Sequence, residues 1–157
     1  MIVYLKVIVG TEMAVWYHAQ GMTLYDGLQA LYKKYGYYDA KVTSFGLAGK
    51  DGLAKMGQLM IDLRANAPKE FAGKKVLAVR DYLAGTRTDL ATGDVTPAGL
   101  PKSDVLYFEL ENDAWVCIRP SGTEPKIKLY VNTNAADKAT AEQLNADLRV
   151  ASEALLK

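Results

Sequence analysis

Apolar residues at the start of the chain follow neither a two-residue alternation nor a single helical stripe. Val3, Leu5, Ile8, Val9, Met13, Trp16 and Tyr17 fall around almost the whole circumference of a helix. A helix that is apolar on every side is normally buried in a larger body. This one opens at Met1 with no cap and no preceding element to cover it, so its packing partners are expected to lie outside the chain.

The next segment, "MTLYDGLQALYKKYGYY", is a more conventional helix. Thr23 is placed to act as N-cap with Asp26 three residues on, a capping-box spacing with Asp in place of Glu. Leu24, Leu28, Leu31, Tyr32 and Tyr35 recur at helical spacing, and Gly36 is a C-terminal stop. Tyr32, Tyr35, Tyr37 and Tyr38 have no basic stripe beside them, so they read as packing residues rather than as a base-stacking platform.

From residue 40 the periodicity changes. "AKVTSFGL" (40–47) alternates Val42, Ser44 and Gly46 against Thr43, Phe45 and Leu47, as a strand does. Gly49 to Asn66 returns to helical spacing, with Leu53, Met56, Leu59, Met60 and Leu63 on one face and Pro68 preventing continuation. "KKVLAVRDYL" (74–83) predicts a strand. Residues 84–103, rich in Gly, Pro, Thr and Asp, predict a long surface loop. "DVLYFEL" and "AWVCIRP", separated by a tight-turn composition, predict a hairpin. "KIKLYVN" (126–132) is a further strand with Ile127, Leu129 and Val131 on one face. Leu144, Leu148, Ala151 and Leu155 stripe a last helix over about 136–156. The predicted class is α+β: a mostly antiparallel sheet of four to five strands with two helices on one face, preceded by two more helices.

Charge and composition narrow the chemistry. A formal net charge of +1 over 157 residues provides no field for nucleic acid or an anionic membrane, so an anion must be held by a local site. Lys6 and Glu12 interrupt the apolar start, which lacks the features of a leader or a membrane span; a cytoplasmic location is expected. The single cysteine, Cys117, lies in an apolar run and reads as a core thiol. The single histidine, His18, has neither a serine nucleophile beside it nor metal-ligand spacing, and takes a structural or surface role. Asp89 and Asp94 flank a Thr-Gly turn without further acids at metal-ligand spacing.

One stretch stands apart: "RPSGTEPKIKLY", residues 119–130. Arg119 offers a two-pronged donor at the end of a strand. Ser121, Gly122 and Thr123 turn the chain, with hydroxyls and successive backbone N–H groups that suit an anion. Gly122 permits unusual backbone conformations and close approach of a ligand. Pro120 and Pro125 stiffen both ends, and Lys126, Lys128 and Tyr130 share the face opposite the core. The residues alone allow two readings, a hairpin connector rich in turn formers or an anion cradle.

This stretch closely resembles the phosphate-binding loop in the C-terminal domain of the α-D-phosphohexomutases, the phosphoglucomutase and phosphomannomutase family. "GMTLYDGLQALYKKYGYY", "GKDGLAKMGQLMIDLR" and "DLATGDVTPAGLPKSDVLYFELENDAWVCIRPSGTEPKIKLYV" also resemble the matching segments of the bacterial enzymes. The resemblance implies the end of a third, α/β domain over 1–39 and a complete fourth domain over 40–157. It implies that Arg119, Ser121, Gly122 and Thr123 contact the phosphate that is not transferred, with Glu124 and Lys128 as weaker contributors. The family's phosphoserine loop, its Asp-rich magnesium loop and its sugar-reading Glu-Glu-Ser loop have no counterpart in this sequence.

The resemblance thus implies no catalytic residue, metal or cofactor in this part. Magnesium and a sugar bisphosphate are expected for the intact enzyme, which interconverts hexose 1-phosphate and 6-phosphate. The expected partners are a phosphorylated hexose and the missing N-terminal domains. The alternative is a stand-alone, non-catalytic phospho-ligand-binding or interaction module.

Overall fold

The computed structural model describes residues 2–47 and 51–156. The chain forms two compact units, Met1–Tyr37 and Tyr38–Lys157.

The first unit is a helical pair, α1 (Ile2–Ala19) and α2 (Leu24–Tyr35). The capping box forms as its spacing predicts: Asp26 N–H donates to Thr23 Oγ1 at 3.1 Å and Thr23 N–H donates to Asp26 Oδ2 at 2.8 Å. The Thr23 hydroxyl, which donates to Asp26 Oδ2 at 2.7 Å, and after it the Thr23 N–H hold the Asp26 carboxyl below the usual aspartate range. Gly36 stops the helix at φ 94°, its N–H reaching Tyr32 O. Buried Gly27 of α2 lies against the ring of Tyr17, close enough that a Cβ there would sit 2.3 Å from a ring carbon. Tyr4, Leu5, Val7, Ile8, Met13, Val15 and Trp16 of α1 are nevertheless exposed, as are Leu24, Leu28 and Leu31 of α2.

The second unit carries the sheet. Its elements are β1 (Tyr37–Gly46, starting at the boundary), α3 (Gly52–Ala65), β2 (Glu70–Phe71), β3 (Lys74–Asp81), β4 (Thr86–Asp89) and β5 (Val95–Pro97). They are followed by β6 (Leu106–Leu110), a 3₁₀ turn (Glu111–Asp113), β7 (Trp115–Pro120), β8 (Lys126–Ala135) and α4 (Lys138–Ala154). Strand order is β1-β8-β7-β6-β3-β4-β5, with β2 paired to β3. The pairs from β2 to β8 are antiparallel. Strict alternation in β6, β7 and β8 sends Phe108, Val116, Ile118, Ile127, Leu129 and Val131 to one face. There they meet Met56, Met60 and Leu63 of α3 and Leu148 of α4. Phe71 closes this core edge-on to Phe108, with ring centroids 5.2 Å apart.

The α+β class holds, and among the described residues the sheet has eight strands where four to five are predicted. The extra strands come largely from the segment expected to be a loop. Residues 86–97 form a hairpin because Asp89 organises its tip: Asp89 Oδ1 accepts the N–H groups of Ala91 (2.9 Å) and Thr92 (3.1 Å). Gly85, Gly93 and Gly99, all near φ +80°, turn the chain at its ends and tip. A bulge in β3 between Val76 and Ala78 then changes which side chains face outward.

The predicted start of the third helix, Gly49, lies outside the described residues. Leu53, assigned to its apolar face, is exposed, because α3 turns Met56, Met60 and Leu63 inward instead. In α4 the buried line is Ala141, Asn145, Leu148 and Ser152, while Leu155 of the predicted stripe is 37% exposed. Asn145 tolerates burial because its Nδ2 donates to Asp39 O (2.9 Å) and Val131 O (3.2 Å).

Candidate functional site

Arg119 is the last outward-facing residue of β7 before Pro120, and its cross-strand partner is Lys128 of β8. Both side chains are exposed, on the sheet face opposite α3 and α4. Neither makes an ion pair or side-chain hydrogen bond among the described residues. Two like charges directly opposite one another repel, so an unneutralised Arg-Lys pair is a place where an anion lowers the energy.

The loop 121–125 closes β7 onto β8. Ser121 N–H donates to Lys126 O (2.8 Å) and Lys126 N–H to Glu124 O (2.7 Å), which fixes the stem. The Ser121 amide is therefore consumed by the loop itself, unlike the nest of successive free amides that composition suggests. The Thr123 N–H lies 3.5 Å from Ser121 Oγ, a long contact. The Gly122 and Glu124 amides have no partner among the described residues. Gly122 does not adopt a positive φ, so no backbone strain selects glycine here. Its Cβ position meets nothing within 4 Å, so the open space beside it is the feature that would admit a ligand.

Glu124 and Lys126 form an ion pair at 2.9 Å. The Lys126 hydrogen bond, with the charges of Lys126 and Lys128 behind it, holds the Glu124 carboxyl below its ordinary range. Glu124 thus neutralises Lys126 and leaves Arg119 and Lys128 as the available cations. Cys117, two residues before Arg119 on the same face, is pushed up to about 11 by burial, against the opposing pull of Arg119. It is an inert thiol at neutral pH.

Sequence reasoning misses the support behind the loop. Leu47 N–H, just past β1, donates to Pro125 O at 2.8 Å. Gly52, the buried first residue of α3, packs between Leu47 and Pro125: a Cβ there would lie 2.3 Å from Leu47 O and 2.9 Å from Pro125 Cβ. The glycine in "GKDG" is its only sequence trace, and that glycine equally suits a helix start.

A depression of about 440 Å³ elsewhere on the outward face is lined by Arg80, Tyr107, Glu109, Trp115 and Asn132 among others. It contains none of the predicted site residues. Burial raises the Tyr107 phenol to about 12. Among the described residues no three His, Cys, Asp or Glu side chains come together to hold a metal ion. Among the same residues, no helix is long and apolar enough to cross a membrane.

Comparison with known proteins places this geometry in context. Residues 63–151 match the family described as phosphoglucomutase/phosphomannomutase, C-terminal domain. The chain belongs to that family. It is similar to phosphoglucomutase of Staphylococcus epidermidis, 39% identical over 115 residues, which cover 72% of this chain and 20% of that protein. It is also similar to phosphoglucomutase of Staphylococcus aureus, 37% identical over 127 residues, covering 80% of this chain and 23% of that protein. The fold resembles the open form of parafusin, a phosphoglucomutase of Paramecium, with a TM-score of 0.50 and 17% identity. That match covers 86% of this chain and 24% of the other. The chain therefore spans about a fifth to a quarter of the length of the relatives it matches.

Proposed function

We propose that this chain is the phosphate-gripping C-terminal part of a phosphohexomutase that interconverts hexose 1-phosphate and 6-phosphate. The observation that carries the reading is the unpaired Arg119–Lys128 cross-strand pair beside an open glycine, at the loop that resembles the family's phosphate clamp. Arg119 supplies a two-pronged donor, Lys128 a second charge, and Ser121 and Thr123 hydroxyls that follow the phosphate oxygens. Gly122 leaves room for the ligand, and Glu124 restrains Lys126. Such a clamp acts by positioning and electrostatics, with bond-making left to the parts of the enzyme outside this chain. As a lid it would also exclude water from the sugar. The exposed apolar sides of α1 and α2 are read as surfaces that pack on the preceding domain of the parent.

The test is an NMR titration of the chain with glucose 6-phosphate and with unphosphorylated glucose, repeated for Arg119→Ala. Millimolar binding corresponds to about −4 kcal/mol, and a charge-assisted hydrogen bond contributes about 1.5–3 kcal/mol. The expected result is phosphate-dependent shifts centred on Ser121–Thr123 that weaken by about tenfold or more in the variant. Equal shifts with glucose, or an Arg119→Ala titration identical to wild type, would remove the assignment.

A further inference from the structure

We infer that Gly52 is a positioning residue for the 121–125 loop, a role that rests on reading the loop as a phosphate clamp. The tip of the loop is open on the side where a Gly122 Cβ would lie, since such an atom would meet nothing within 4 Å beyond the adjoining residues. Its position is therefore set at the stem. One side of the stem is fixed by Ser121 N–H to Lys126 O. The other is Pro125, whose carbonyl accepts the Leu47 N–H and whose ring lies against Gly52.

Two neighbouring segments, the end of β1 and the start of α3, meet there the start of β8, more than seventy residues on in the sequence. Gly52 is not in the left-handed region, so conformational freedom does not explain it; space does. Both atoms that would meet a Cβ belong to rigid groups, a backbone carbonyl and a proline ring. A methyl at position 52 must push Leu47 or Pro125 aside, and either movement breaks the seat on which the loop rests. Close packing makes such a displacement discrete rather than absorbed. Helix α3 thus fixes the loop through contact alone, without touching the ligand. The loop amides and the Arg119 guanidinium then address the phosphate from a fixed distance.

The experiment compares Gly52→Ala with Gly57→Ala, a control on the same helix whose Cβ meets nothing within 4 Å. Amide spectra are recorded first without ligand and then during titration with glucose 6-phosphate. Gly52→Ala is expected to move the Gly122, Thr123 and Glu124 resonances while leaving Phe108 and Leu129 in place. It should also weaken phosphate binding by about tenfold, as if one charge-assisted hydrogen bond were misaligned. Gly57→Ala should change neither. If Gly52→Ala does not fold, Pro125→Gly removes the facing contact from the other side and must give the same loop-selective shifts. Unchanged loop resonances in a folded Gly52→Ala or Pro125→Gly chain would overturn the inference. A wild-type chain that ignores phosphate would instead overturn the clamp reading, while the ligand-free spectra would still decide the role of Gly52.

Discussion

Glu109→Gln tests how the outward face of the sheet is held. Arg80 of β3 and Arg87 of β4 are direct cross-strand partners, an arrangement that repels by about 0.2–1 kcal/mol when left alone. Glu109 of β6 converts it to attraction. Its Oε1 accepts from Arg80 Nε and from Arg87 Nε (3.0 Å), and its Oε2 from Arg87 Nη2 (2.7 Å). The side chains are 22% exposed for Glu109, 29% for Arg87 and 34% for Arg80. The network therefore lies between exposed pairs, at about 0–1 kcal/mol, and broken buried pairs, at about 3–5 kcal/mol. Weakening the bonds to each arginine costs about 1 kcal/mol, and the restored repulsion adds a few tenths, for a total of about 2 kcal/mol. At about 2–4 °C per kcal/mol for a chain of this size, Tm should fall by about 4–8 °C.

The assay is urea and thermal unfolding of wild type, Glu109→Gln, Arg87→Gln and the double variant, with the cycle isolating the pair. Acidification adds a second check with a definite sign. The Arg87 hydrogen bond is the largest influence; it outweighs burial and, with the Arg80 hydrogen bond and the charges of both arginines, holds the Glu109 carboxyl below the usual glutamate range. The unfolded carboxyl protonates first as pH falls. Its stabilisation is therefore complete above the unfolded-state range and disappears as pH drops through the lowered native value. The gap between wild type and Glu109→Gln should narrow over that interval. A destabilisation below about 0.5 kcal/mol, or a gap that widens on acidification, would refute this account of the network.

Further expectations follow from single residues. Gly57→Ala, on the open and exposed side of α3, should stabilise the chain by about 0.8–1 kcal/mol through helix propensity, read as a higher urea midpoint at constant slope. Asp137→Ala removes the N-cap bond to Thr140 N–H (2.9 Å) and should speed amide exchange in the first turn of α4 without disturbing β7 and β8. Cys117, held near 11 by burial, should react with a thiol reagent at pH 8 far more slowly in the folded chain than in urea; equal rates would contradict the burial. Lys128→Ala should weaken glucose 6-phosphate binding less than Arg119→Ala, since a lysine lacks the two-pronged donor. A larger Lys128 effect would reverse their assigned roles.

The elements legible in the sequence are those that short-range chemistry determines. The Thr23–Asp26 capping box and the Gly36 stop involve neighbours within one or two turns of α2. Alternation in 126–132 is enough to put Ile127, Leu129 and Val131 inside and leave Lys126 and Lys128 outside. The 119–125 loop is likewise contiguous, so its cluster of donors and its family resemblance can be read from one segment. The sequence alone did not set the rotation of α4, because Asn145 is buried only by virtue of carbonyls on Asp39, far away in the chain, and on Val131 of the neighbouring strand. Nor did it disclose the strands at 86–89 and 95–97, whose turn-rich composition is the same in a loop as in a hairpin; pairing with β3 decides between them. The support of Pro125 by Leu47 and Gly52 is of the same kind. It exists only when the β1–α3 connection and the distant start of β8 come within van der Waals contact, and no local pattern encodes that long-range packing of Pro125.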